Sequence, residues 1–338
     1  MGSLPSEGKT APLAAVVIGT GRIASLLEDD PLREKPASHA GALQATGRCR
    51  IAGGYDTDRE RRKSFAQRWE TTEYDDPGKM IQREAPSIVV IATHPDSHET
   101  YLRLAAEMNV PVVVCEKPVA HSIRAARRMV RIEETSPLRV VVNHERRFSR
   151  DYQLVRDAVQ TKRFGSLLSI SGILNFGGSQ RLDRVFHHDG THLIDAINFV
   201  AQDTLTLSGR SASLKRTSGT VYLRGNLRRA GVPVLVEVGA ERRFLQFQLR
   251  LSFTDGEIEV GNGIFSWRDA RESPYYSGYR SLREMHRRVP EPTGYFRAMM
   301  DHAVDLAMTP HATSLSPVRA GYEALQIIHR AQHPRGWL

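Results

Sequence analysis

Residues 112–118 read Val-Val-Val-Cys-Glu-Lys-Pro, an apolar run that ends on a carboxylate, an ammonium group and a proline. The valines predict a short strand buried on both faces, as in a parallel sheet covered by helices. Because ligands bind at the carboxyl ends of such strands, we expect Glu116 and Lys117 at the ligand-binding edge. Lys117 could then exchange a proton with a hydroxyl group. A surface lysine paired with Glu116 is the alternative.

A glycine-rich turn follows the first predicted strand, residues 13–18. It reads Gly19-Thr20-Gly21-Arg22-Ile23-Ala24. In a dinucleotide-binding fold the first glycine permits a tight turn, the second lets a diphosphate approach, and the small Ala24 lets a helix pack on the strand. The amino terminus of a helix directly after the turn would hold the diphosphate. Residues 26–36 carry charges and two prolines, and they predict a loop inserted before helix 38–45.

The second predicted strand, residues 49–55, ends on Asp56. A carboxylate there accepts hydrogen bonds from ribose hydroxyls and repels a 2′-phosphate, which favours NAD over NADP. Arg59 lies close enough to leave NADP open. The alternative role of Asp56 is to cap the helix predicted for residues 57–69.

The next predicted strand, residues 87–92, is followed by Thr93-His94-Pro95-Asp96-Ser97-His98. A loop at the carboxyl end of a strand could contact the nicotinamide ribose, whereas capping or solvated histidines are the alternative. A helix at 122–134 and a strand at 139–143 complete the alternation of strands and helices. That alternation predicts a doubly wound α/β sheet.

The second half of the chain has a different pattern. Residues 164–178 and four later runs, 220–223, 233–239, 244–253 and 257–260, are typical of strands separated by turns. They predict an open, mainly antiparallel sheet with one exposed face. Helices are predicted at 293–308 and 317–332, the second with proline at its first position.

A second concentration of polar residues reads His187-His188-Asp189-Gly190-Thr191-His192 and opens an apolar helix. His188 and His192 share one helix face, and Asp195 lies three residues beyond His192. The pattern lacks the glutamate of His-Glu-x-x-His and both cysteines lie elsewhere, so no metal is predicted. We expect hydrogen bonding and proton transfer, with helix capping as the alternative.

Composition sets limits on the class of protein. At 338 residues two domains are expected, and 40% apolar with 25% charged residues is typical of a globular protein. No apolar run is long enough to span a membrane. The net charge of +9 comes from scattered arginines, which argues against nucleic acid. Two cysteines on different predicted strands suit reduced thiols in a cytoplasm.

Together these motifs resemble the glucose-fructose oxidoreductase / inositol dehydrogenase family (Gfo/Idh/MocA) over nearly the whole chain, from Leu13 to about Gln332. The resemblance rests on the glycine turn, Asp56, Ala92-Thr93-His94-Pro95 with His98, Glu116-Lys117-Pro118, Arg147-Phe148, and Gly190-Thr191-His192. It implies a Rossmann domain and an α/β domain with an open, largely antiparallel sheet. The domain boundaries follow as a tag-like terminus at 1–12, a nucleotide-binding domain at 13–143 and a substrate domain at 144–338, with helix 317–332 able to pack back on the first domain.

The resemblance also implies a nicotinamide-dependent oxidoreductase acting on a sugar, a cyclitol or a sugar derivative, and a homodimer or homotetramer formed through the second sheet. Lys117 and His192 would be the catalytic pair, with His188 and Asp189 beside them. Substrate contacts are expected from Lys117, Arg147, His188, Asp189 and His192. Cofactor contacts are expected from Gly19, Thr20, Gly21, Arg22, Ile23, Asp56, Thr93, His94, Pro95, His98, Glu116 and Lys117.

The chain departs from the family pattern at one place. An aspartate commonly lies four residues before the histidine, where this chain has His188, and the carboxylate is displaced to Asp189. Displacement by one residue on a helix turns a side chain by about 100°. Two alternatives to a dehydrogenase stay open, a non-catalytic sensor of dinucleotide or sugar and a redox-neutral enzyme with tightly bound NAD.

Overall fold

The computed structural model of this chain describes residues 11–178, 181–288 and 291–333, so the first ten residues of the predicted terminal segment lie outside it. The strands are β1 Leu13–Ile18, β2 Cys49–Tyr55, β3 Thr72–Tyr74, β4 Ile88–Ile91, β5 Val112–Cys115, β6 Arg139–Val142, β7 Leu167–Gly177, β8 Leu205–Arg210, β9 Thr220–Leu227, β10 Pro233–Arg242, β11 Gln246–Phe253, β12 Gly256–Gly261, β13 Ile264–Glu272 and β14 Arg280–Arg287. The helices are α1 His39–Ala45, α2 Arg59–Arg68, α3 Pro77–Glu84, α4 His98–Glu107, α5 Ile123–Thr135, α6 Arg150–Gln160, α7 Leu182–His188, α8 Gly190–Ala201, α9 Tyr295–Met308 and α10 Val318–Gln332.

The first six strands form a parallel sheet in the order β3-β2-β1-β4-β5-β6. This confirms the predicted doubly wound sheet. The order reverses beside β1, so the loops after β1 and β4 border the crevice where such sheets bind ligands. All four residues of β5 are buried, because helices cover both faces of the sheet.

Two helices from the end of the chain complete the first sheet. Helix α9 packs with α1 on one face, where Phe296, Met299 and Met300 share a core with the valines of β4 and β5. Helix α10 packs against α5 and against α8, so it contacts both halves of the protein. Its first N–H group, at Val318, donates to the half-buried carboxylate of Glu133 on α5.

The segment after the glycine turn differs from the prediction of a helix starting there. One irregular turn is followed by the inserted loop, and the α-helix resumes only at His39. The two parts remain joined, because the N–H groups of His39 and Ala40 donate to the carbonyls of Ile23 and Ala24 at 3.1 and 2.9 Å. The insertion therefore leaves the turn at the end of β1 in place.

The second sheet has eight strands in the order β14-β13-β12-β11-β7-β10-β9-β8. Only the β7–β10 pair is parallel among these neighbours, so the predicted open, mainly antiparallel sheet is confirmed. Strands β8, β13 and β14 extend it beyond the predicted runs. Helix α8 is buried from Gly190 to Val200 and packs on β7.

The other face of this sheet exposes Leu168, Tyr222 and Leu235. The homodimer or homotetramer formed through this sheet stays a prediction. Within the described ranges no helix is both long and apolar enough to cross a membrane.

Candidate active site

The glycine turn has the shape and the donors that a dinucleotide diphosphate requires. Gly19 has a φ of +87°, and a Cβ atom there would lie 2.8 Å from the carbonyl carbon of Ala92. A Cβ atom on Gly21 would have no protein neighbour within 4 Å. The N–H groups of Gly21, Arg22 and Ile23 donate to no other group in the described part of the chain. Open space beside free N–H groups fits a bound NAD diphosphate.

Asp56 lies beneath this turn and is buried. One carboxylate oxygen accepts from the N–H and hydroxyl of Thr20 at 2.9 and 3.2 Å, and the other accepts from the N–H of Asp58 at 3.0 Å. The N-cap of α2 is Asp58, so the capping alternative for Asp56 was wrong. The contact of Asp56 with a ribose stays a prediction.

Substitution of Gly21 should separate cofactor binding from folding. We expect Gly21→Val to weaken NAD binding by roughly tenfold or more, because the side chain would fill the space beside the free N–H groups. The melting temperature should stay close to that of the wild type, because no protein atom lies within 4 Å of the new Cβ position. Calorimetric titration with NAD and thermal unfolding measure the two effects. Unchanged affinity would contradict this placement of the diphosphate.

The residues of the loop after β4 differ in exposure and in the groups that they contact. Thr93 lies against Gly19, while His94 is exposed and Pro95 half-buried. His98 is fully buried, and its ring nitrogens lie 3.1 Å from the carbonyl of Val119 and 3.0 Å from that of Thr93. Burial lowers the pKa of His98. His98 therefore joins two loops at the edge of the sheet instead of contacting a cofactor directly.

Glu116 also points into the protein. Its carboxylate accepts from Asn143 at 2.6 Å and from the N–H of Lys117 at 3.1 Å, and lies 2.7 Å from Nε2 of His39. Burial opposes ionisation, but the hydrogen bonds from His39 and Asn143 lower the pKa of Glu116 to about 2. This network joins β5, β6 and α1, in place of the cofactor contact expected from the sequence.

Lys117 reaches the turn between α7 and α8. Its Nζ lies 3.4 Å from Nδ1 of His188, 3.3 Å from the carbonyl of His188 and 3.6 Å from the Asp189 carboxylate. Burial raises the pKa of Asp189, but hydrogen bonding to His188 and the charge of Lys117 outweigh it, so the net shift is downward. The displaced carboxylate thus still faces the lysine.

His192 belongs to the same cluster and is 8% exposed. Burial lowers its pKa well below the usual range, and the charges of Lys117 and Arg146 add to this effect. Its imidazole is therefore neutral at pH 7. Its Nδ1 is buried without a hydrogen-bond partner in the described part of the chain. A neutral ring with an unused polar atom is suited to a hydrogen bond with a ligand hydroxyl.

The predicted contact between Arg147 and substrate does not fit the structure. The guanidinium of Arg147 forms a bidentate pair with Asp195, at 2.8 to 3.1 Å, and donates to the carbonyl of Leu315 at 2.7 Å. Arg146 is instead close enough to the cluster for its charge to lower the pKa values of Asp189 and His192, and its guanidinium lies 3.6 Å from the ring centroid of Phe247. The two arginines occupy a single 3₁₀ turn, where consecutive side chains point in different directions.

His144 is a site residue that the sequence analysis missed. It is 1% exposed, its ring lies edge-on to that of His192 at 6.1 Å, and its Nδ1 lies 3.8 Å from Asp195. Neither ring nitrogen has a hydrogen-bond partner within the described ranges. Its position two residues after β6 was the available signal, because neighbouring parallel strands end at the same edge.

The buried His144 should make stability depend on pH. Burial lowers its pKa from 6.5 to about 4, so between these values the unfolded chain binds more protons than the folded protein. Wild-type stability should therefore fall as the pH drops through this window, by up to roughly 3 kcal/mol from His144. In His144→Phe the free energy of unfolding should lose the part of its pH dependence that His144 contributes. Urea unfolding at pH 7 and pH 4.5 measures it, and parallel pH profiles would contradict the burial of a neutral ring.

No group of three or more His, Cys, Asp or Glu side chains in residues 11–178, 181–288 and 291–333 is arranged to hold a metal ion.

Comparisons with known proteins agree with this geometry. Residues 13–144 match the family model GFO_IDH_MocA, described as an oxidoreductase family with an NAD-binding Rossmann fold. D-apiose dehydrogenase of Rhizobium rhizogenes is 29% identical over 41% of this chain and 42% of its own length. Inositol 2-dehydrogenase of Paracoccus denitrificans is 28% identical over 55% of this chain and 54% of its own length. The chain spans about half the length of the curated relatives it matches.

Solved structures show the same fold over nearly the whole chain. Levoglucosan dehydrogenase in complex with NADH has a TM-score of 0.75 at 16% identity, over 96% of this chain and 97% of that one. An oxidoreductase from Agrobacterium radiobacter, in complex with NAD+, L-tartaric acid and magnesium, has a TM-score of 0.74 at 17% identity, over 96% and 97%. Residues 13–144, about two fifths of this chain, are therefore similar to the NAD-binding Rossmann domain of the GFO_IDH_MocA oxidoreductase family.

Proposed function

We propose that this protein is an NAD-dependent dehydrogenase that interconverts a secondary hydroxyl and a ketone on a sugar, a cyclitol or a sugar derivative. The observation that carries the proposal is the convergence of Lys117, Asp189 and His192, which come from both halves of the chain. The lysine follows β5, at the edge of the first sheet that also carries the glycine turn. The names of the relatives, D-apiose dehydrogenase and inositol 2-dehydrogenase, support a polyhydroxylated substrate.

Each residue has a distinct role in this proposal. NAD, when bound, supplies the hydride acceptor or donor. Lys117 exchanges the proton of the substrate hydroxyl, and the neutral His192 hydrogen-bonds the same oxygen and stabilises charge that develops on it. Asp189 holds the lysine amine, and Arg146 contacts the substrate at the second domain. Asp56 favours NAD, with NADP left open by Arg59.

Absorbance of reduced nicotinamide tests the proposal. The purified protein is scanned before and after addition of NAD+ with D-apiose, a set of inositols and other polyols. We expect steady formation of NADH with at least one of them. A single change equal to the amount of protein would instead indicate recycling of bound cofactor. Absence of any change across the panel with both NAD+ and NADP+ would contradict the proposal and favour a sensor.

A further inference from the structure

We propose that His188 is the group through which the proton taken up by Lys117 leaves the site for solvent. The assignment rests on the proposed function, because it concerns a proton that only the oxidation of a hydroxyl would release. His188 does not act on the substrate in this assignment. It acts through Lys117, as a positioning and relay residue.

The balance of the reaction requires such a path. When NAD+ oxidises a secondary alcohol, the C–H hydride goes to the nicotinamide, the O–H bond breaks and a carbonyl forms. The hydroxyl proton goes to the amine of Lys117. For the next turnover Lys117 must lose this proton, and one proton per turnover must reach water.

The groups at the reaction centre are poorly placed to exchange protons with bulk water themselves. The side chain of Lys117 is 11% exposed, and His192 is 8% exposed. The side chain of His188 is 65% exposed, and its Nδ1 lies 3.4 Å from the amine of Lys117. His188 is therefore in contact with both the lysine and the solvent.

An imidazole can carry the proton without moving far, because it has a nitrogen on each side of the ring. Nδ1 of His188 accepts a proton from Lys117, and the Nε2–H group then gives its own proton to water. Proton exchange between the exposed ring and water restores the Nε2–H tautomer before the next turnover. The same Nδ1 lies 2.9 Å from the Asp189 carboxylate. That carboxylate stabilises the imidazolium ring during the time in which both ring nitrogens carry a proton.

The charged and titratable neighbours of His188 come from several elements. Lys117 follows β5, and Asp189 follows α7. His187 lies on α7, directly before His188. His192 on α8 is close enough for the charge of His188 to lower its pKa, together with Arg146. Of these, Lys117 and Asp189 are in direct contact with the ring, so the proton passes along one route.

Proton release measured separately from hydride transfer tests the assignment. The variant is His188→Asn, which keeps a polar atom near the place of Nδ1 but cannot relay a proton. The matched control is His187→Asn, since His187 lines a separate cavity with Asp183 and Arg210. The wild type and both variants are mixed with NAD+ and the polyol that the wild type oxidises, in weak buffer with a pH indicator. NADH absorbance and indicator colour are followed in the same stopped-flow trace.

In the wild type and in His187→Asn we expect proton release to keep pace with NADH formation. In His188→Asn proton release should lag behind the first hydride transfer, and steady turnover should fall by roughly tenfold. Added imidazole should restore both rates, which a purely structural defect would not permit. Because His188 lies at the surface, melting temperatures should be equal, and His188→Gln provides a second variant.

Proton release that keeps pace with NADH formation in both His188 variants would overturn the assignment and leave the dehydrogenase intact. A lag that imidazole does not shorten would also overturn it. If the wild type failed to reduce NAD+ with every polyol tested, the proposed function itself would be contradicted, and the role of His188 with it.

Discussion

Lys117→Met is expected to reduce turnover by roughly 100-fold or more, since the variant keeps the length of the side chain but cannot exchange a proton. The amine lies between the end of β5 and the start of α8, with His188 and Asp189 as its partners. No other lysine among the described residues contacts this cluster. Steady-state kinetics on the polyol identified with the wild type measures the loss.

The controls separate chemistry from binding. The affinity for NAD and the melting temperature should change little in Lys117→Met, because the side chain makes contacts only at the partly open site. Lys79→Met on the exposed surface of α3 is the matched control and should keep wild-type turnover. Turnover of Lys117→Met equal to that of the control would show that Lys117 does not handle the proton.

The fold could be predicted because its signals are local. The valines of β5 and the glycine turn after β1 each specify a strand, a strand end and a direction, and several such units in order define a doubly wound sheet. Lys117 could be predicted for the same reason. The backbone of a residue that follows a buried parallel strand has to lie at the ligand-binding edge, whichever way its side chain points.

The directions of individual side chains could not be predicted in the same way. Arg146 and Arg147 are identical neighbours, and only the buried Asp195 on α8 decides which of them is held away from the site. Glu116 turns inward because His39 and Asn143, distant in sequence, supply its hydrogen bonds. These choices depend on tertiary contacts that no local pattern contains.

The position of His188 shows a third case, in which a departure from a known pattern was visible but its consequence was not. The sequence placed a histidine where the family pattern has an aspartate, and a turn of about 100° for Asp189 meant that its carboxylate need not reach the same substrate atom. In the structure α7 ends at His188 and α8 begins at Gly190, so the helix is interrupted there. Asp189 therefore faces Lys117 despite the displacement.

Arg147→Met is expected to lower the free energy of unfolding by about 3–5 kcal/mol. Asp195 is 1% exposed, and without the bidentate guanidinium it would be left among the described residues with the neutral His144, at 3.8 Å, and the more distant charge of Arg146. Urea or thermal unfolding of the purified variant measures the change.

Arg156→Met is the matched control. Both guanidinium groups lie over the ring of Phe199, at 5.3 and 5.1 Å, but Arg156 pairs with the exposed Asp157. An exposed pair of that kind contributes about 1 kcal/mol or less.

The double variant Arg147→Met/Asp195→Leu distinguishes a buried ion pair from a substrate contact. Replacing both charges with apolar side chains of similar size removes the unpaired carboxylate, so we expect most of the lost stability to return. A double variant as unstable as the sum of the two single variants would contradict this account. If Arg147→Met instead kept wild-type stability and raised only KM, Arg147 would be the substrate contact that the sequence first suggested, and its pairing with Asp195 would have to open when substrate binds.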